Sequence, residues 1–184
     1  MVQAEDNDFY LRRNFYRQEA RSGSIFMDYT NQIAPLSRNV TLYGHNMRMS
    51  GQTMLSDLLG FEERERFDKY PYIQFDTLNG SGTWQIFSVF VYDVREIEKY
   101  NYTQANFASE EDFLAFAEHA KSLSMYDTGV EIGPGDHLLT LSTCTQSYRE
   151  DNERFVVMAV LKEGALKDQA EQQAADDADD AGEQ

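Results

Sequence analysis

The chain has 184 residues, 41% of them hydrophobic, with 32 Asp plus Glu against 16 Lys plus Arg and a formal net charge of -16. That much apolar material suffices for one packed domain and excludes a largely disordered chain. The acidic balance argues against a nucleic-acid binder and against docking to an anionic membrane through a basic patch, because either partner's phosphates would be repelled.

No apolar run reaches the roughly 18 residues needed to span a bilayer. A single cysteine, Cys144, excludes an internal disulfide framework and a Cys-rich zinc site. With three histidines in all, a transition-metal site would have to lean on carboxylates, and no pattern signals a cofactor.

In chain order, residues 7–16 read as a first short helix and 25–28 as a strand. A second strand is expected at 40–45. Short helices at 53–59 and 62–69 flank Gly60 and stop before Pro71. Strands follow at 72–78 and 83–94, rich in β-branched and aromatic residues, with Asn79-Gly80-Ser81-Gly82 between them as a hairpin turn.

The clearest helix is expected at 110–121. Ser109 stands as its N-cap, acids fill its first turn, and Phe113, Phe116, Ala117 and Ala120 recur on one face suited to covering a core. The turn Gly133-Pro134-Gly135-Asp136 then launches a strand over 137–144, and a last strand is expected over 154–161. The sum predicts a mainly antiparallel β fold with peripheral helices, closed as a barrel. From Gly164 to Gln184 there are seven acidic residues, one Lys and no aromatic, which predicts a solvated acidic tail beyond a domain spanning 1–163.

Cys144 ends the apolar run Leu138-Leu139-Thr140-Leu141-Ser142-Thr143 and is followed by polar sequence. A strand end suits a nucleophile packed from behind and open in front; equally, a lone Cys serves as a small buried hydrophobe. His45 closes another strand beside Gly44, where an imidazole could exchange a proton with a thiol, or be an ordinary surface residue. Arg154 opens the last strand, either as an exposed edge charge or as a fixed cation able to stabilise an oxyanion. Arg149 lies among acids in a loop and reads as a solvated charge. His119 falls off the apolar stripe of its helix, and His137 sits at a turn. The sequon-like Asn39-Val40-Thr41 and Asn101-Tyr102-Thr103 carry no weight on their own.

Together, Tyr43-Gly44-His45-Asn46-Met47, Thr140-Leu141-Ser142-Thr143-Cys144 and Arg154-Phe155-Val156-Val157 resemble the class B sortases, in order and in separation. Gly23-Ser24-Ile25-Phe26-Met27-Asp28 and Asn7-Asp8-Phe9-Tyr10-Leu11 extend the resemblance over roughly residues 2–163. It implies a closed sortase-type β-barrel with a helix inserted before the cysteine strand. It also implies a cysteine transpeptidase at the outer face of the membrane of a Gram-positive bacterium.

By matching position, Cys144 would attack the Thr carbonyl of an Asn-Pro-x-Thr sorting signal, His45 would protonate the departing amine and Arg154 would hold the oxyanion. A peptidoglycan-precursor amine would then resolve the thioester. Asn7, Leu11 and Ser142 are implied as groove-lining residues. Relative to the family, the chain opens near the end of a first barrel strand, without anchor or N-terminal helices. That predicts an unpaired sheet edge; any membrane attachment would come through an anchor absent here. A cysteine hydrolase and a non-catalytic peptide-binding module are the alternative readings.

Overall fold

A computed structural model describes residues 1–47, 53–78, 80–145 and 152–167. Six strands form one curled sheet: β1 (Phe26–Met27), β2 (Asn39–Tyr43), β3 (Tyr72–Gln74), β4 (Thr83–Asp93), β5 (Leu138–Cys144) and β6 (Glu153–Glu163). Their spatial order is β1-β2-β5-β6-β4-β3. Four of the five ladders are antiparallel; β2 and β5 run parallel, with Thr41 opposite Thr140. The architecture is a mainly-β half-barrel. Where the sequence pattern predicts a closed barrel, no ladder among the described residues joins β1 to β3. At the β1 edge Val2 forms a parallel bridge to Phe26 and accepts the Met27 N–H at 2.9 Å.

Both faces of the sheet are buried, and side-chain alternation divides them into two cores. On β6, Phe155, Val157, Ala159 and Leu161 point into one core while Val156, Met158 and Val160 point into the other. The first core is completed by the 3₁₀ segment Ser56–Glu62 and by Phe67 of α1 (Arg64–Lys69). The second is covered by α2 (Glu110–Leu123) through Phe113, Phe116 and Ala120. A register shift on β4 between Ile86 and Ser88 moves the alternation by one residue, so Trp84 and Ile86 face the first core and so does Val89.

Helix α2 starts as its sequence predicts: the Ser109 side chain accepts the Asp112 N–H at 3.1 Å. The first predicted helix is shorter, a single 3₁₀ turn over Phe9–Arg12, because Asn14 diverts the chain. The Asn14 side-chain oxygen accepts the N–H groups of Tyr16 and Gln18, building a turn in place of further helix. The strand expected over 72–78 stops at Gln74, since Thr77 closes a tight turn with Gly80. Just past β6, Leu166 is 1% exposed in the first core and its N–H reaches the Ser81 carbonyl at 3.1 Å. Arg149 and the acidic stretch from 168 onward lie outside the described residues.

Candidate active site

The topology gathers one set of strand ends at one rim of the sheet. β2 and β5 are parallel and finish there, β6 is antiparallel to β5 and begins there, and β4, antiparallel to β6, ends there. Cys144, the last residue of β5, pairs directly with Arg154 of β6. On the other side of β5, Tyr43 pairs with Ser142, and the Gly44 N–H continues the ladder to the Ser142 carbonyl at 3.3 Å. His45, two residues beyond Tyr43, therefore stands level with Cys144, two residues beyond Ser142. Alternation places Ser142, Cys144 and Arg154 on the α2 side of the sheet.

These residues line a cleft of about 350 Å³. Its walls include His45, Cys144 and Arg154 together with Asn7, Leu11 and Ser142, so all six residues singled out in the sequence converge on one opening. Cys144, His45 and Arg154 are all partly exposed rather than sealed. Cys144 is thus not a fully buried side chain.

Each group is held from behind. Asn46 donates through its side chain to the Cys144 carbonyl at 3.1 Å, tying the histidine loop to the end of the cysteine strand. The His45 Nε2 lies 2.6 Å from the Leu11 carbonyl oxygen. Arg154 donates to the Glu153 carbonyl at 3.2 Å. The remaining histidines lie elsewhere: His119 is exposed with its ring against Tyr100, and His137 is buried at the opposite end of β5, where desolvation pushes its pKa down.

Further residues support the site beyond the six singled out in the sequence. Asp28, 3% exposed, accepts hydrogen bonds from the Tyr43 hydroxyl at 2.7 Å, the Asn7 amide at 2.9 Å and the Thr30 hydroxyl at 2.7 Å. Desolvation first, and the Asp28 charge second, push the Tyr43 phenol far above its usual pKa. Tyr102, within the sequon-like Asn101-Tyr102-Thr103, lines the cleft and its hydroxyl lies 3.1 Å from that of Ser142. Burial raises the Tyr102 pKa, opposed by the Ser142 hydrogen bond and the positive charge of Arg154. Val94 and Ile97, just past the end of β4, supply apolar wall. Alternation from His45 could have flagged Tyr43; nothing local marks Tyr102.

Residues 2–162 match the family described as Sortase domain. The chain belongs to the sortase family. Sortase B of Staphylococcus aureus (strain NCTC 8325 / PS 47) is 33% identical over 161 residues, covering 88% of this chain and 64% of that protein. This sortase chain thus spans less than two thirds of that relative. Among solved structures, a Staphylococcus aureus sortase B–substrate complex superposes with a TM-score of 0.78 at 32% identity, over 88% of this chain and 73% of that one. Clostridium perfringens sortase B gives the same TM-score and identity, over 88% of this chain and 86% of its own. The sortase half-barrel of those structures is the curled sheet described above.

Proposed function

We propose that the chain is a cysteine transpeptidase acting on a C-terminal sorting signal of the Asn-Pro-x-Thr kind. The observation that carries this reading is the convergence of Cys144, Arg154 and His45 at one rim of the sheet, in one partly open cleft. The similarity to a sortase B solved as a substrate complex supports a peptide substrate.

In this reading the Cys144 thiolate adds to the Thr carbonyl carbon, and the resulting oxyanion is met by the Arg154 guanidinium. The C–N bond breaks as protonated His45 gives its proton to the departing amine, leaving a thioester on Cys144. An incoming cell-wall amine attacks that thioester, loses a proton to His45 and displaces the thiolate, so the new amide restores both groups. Asn7, Leu11 and Ser142, with Tyr43 and Tyr102, form the groove that holds the signal. The site of action is the outer face of the bacterial membrane, with a peptidoglycan precursor as amine donor.

Incubation with a labelled Asn-Pro-x-Thr peptide, read by mass spectrometry, tests the mechanism. An adduct on Cys144 that is lost in Cys144→Ala is the expected result; processing that survives the substitution refutes it. Adding a candidate amine distinguishes ligation from hydrolysis.

A further inference from the structure

The carbonyls that follow the start of the Phe9–Arg12 turn have separate destinations. Tyr10 accepts the Ser24 N–H at 3.1 Å, Arg12 accepts the Ala20 N–H at 2.9 Å, and Arg13 accepts the Ser24 hydroxyl at 2.9 Å. These bonds fold residues 10–24 back on themselves, with Arg13 bridged to Glu19. The Leu11 carbonyl between them points instead at His45, 2.6 Å from Nε2.

A carbonyl oxygen can only accept, so Nε2 must carry hydrogen whether the ring is neutral or charged. Gly23 packs directly behind this carbonyl. It adopts φ +59°, and a Cβ there would lie 2.5 Å from the Leu11 oxygen and 2.6 Å from the Tyr10 oxygen. Both separations are far inside contact distance, and both obstacles are main chain rather than a yielding side-chain tip. A left-handed φ adds to the demand for glycine.

We propose that the Leu11 carbonyl fixes His45 as its Nε2–H tautomer, making Nδ1 the nitrogen that exchanges protons with thiol and amine, and that Gly23 is the positioning residue that holds this carbonyl in place. The proton-transfer part rests on the function proposed above; the tautomer and the role of Gly23 are properties of the free protein. The carbonyl does for this imidazole what a buried carboxylate does in other nucleophile–histidine pairs. It selects the tautomer and the ring orientation, without placing a second negative charge beside the thiolate.

The test is ¹⁵N NMR of histidine-labelled protein without substrate, at a pH where the ring is neutral, with His45→Gln used to assign His45 among the three histidines. The expected spectrum has a pyrrole-like Nε2 and a pyridine-like Nδ1. A pyrrole-like Nδ1, or averaged shifts from two tautomers, overturns the proposal. In Gly23→Ala the two nitrogens should average, and kcat should fall roughly ten- to a hundredfold while KM stays within about twofold. Retention of both the wild-type tautomer and turnover in Gly23→Ala overturns its positioning role. Leu59→Ala, destabilising on the far core, should keep the wild-type tautomer; loss of it there would show general loosening and overturn the assignment to Gly23. Should Gly23→Ala not fold, Gly23 is a folding determinant and its positioning role is overturned, while the wild-type spectrum still decides the tautomer. Because that reading needs no substrate, a wrong tautomer and a failure to form the thioester remain separate results.

Discussion

Replacing Asp28 by Ala tests how the groove is built. The substitution removes the acceptor for the Tyr43 hydroxyl, the Asn7 amide, and the Thr30 N–H and hydroxyl. Thr30 is exposed and regains water, so its two bonds cost little. The Tyr43 and Asn7 bonds are made to a carboxylate that is 3% exposed; hydrogen bonds to a charged group contribute about 1.5–3 kcal/mol each. Relief of the carboxylate's own desolvation offsets part of that sum, leaving a net loss of about 2–4 kcal/mol. Urea unfolding should show this loss as a lower midpoint at unchanged m-value. Asp28→Asn should do nearly as badly, because one carboxylate oxygen accepts from both Tyr43 and Asn7 and an amide nitrogen there would face two donors. Since Asn7 and Tyr43 line the cleft, peptide KM should rise in both variants more than kcat falls. If Asp28→Ala unfolds within about 0.5 kcal/mol of the parent and KM does not move, the buried carboxylate is not organising the groove.

Arg154→Lys keeps the charge but not the planar fork, and should lower kcat by about 10²-fold or more, with Arg154→Ala no better, in a fluorogenic peptide assay. Phe113→Ala empties a fully buried position between α2 and the sheet and should cost about 3–5 kcal/mol, read by calorimetry as a lower Tm. Glu110 is held below its ordinary pKa of 4.5, chiefly by its hydrogen bond from Arg38. Its contribution to stability is therefore complete above that pH and disappears as pH falls through the lowered value, and Glu110→Gln should flatten this part of the acid-unfolding curve. Both Arg38 and Glu110 are partly solvated, so the change should be small.

Much of the fold is legible in the residues because both local signals agree there. In α2, cap, charge and apolar spacing all point to one helix, and the helix forms two residues longer than expected. The strands show β-branched runs; Cys144 and His45 show themselves by ending such runs and Arg154 by opening one. Pairing is less visible. The parallel union of β2 and β5 joins residues about a hundred positions apart, and no local pattern specifies it. Both strands are buried on both faces, so the alternation that would betray an antiparallel hairpin is missing. The helix expected over 7–16 gives way to a turn because an Asn side chain outcompetes helix hydrogen bonding, a contest that propensity alone does not resolve. Tyr102 and Asp28 escape for a different reason: their roles exist only once distant segments meet.

The place of β5 between β2 and β6 means that the main chain carrying Cys144 and Arg154, and the strand leading to His45, belong to two interior seams of the sheet. Fraying of the short outer pieces Phe26–Met27 and Tyr72–Gln74 leaves those seams intact. Amide protection along Leu138–Cys144 should therefore be lost at the global melting point and not before it.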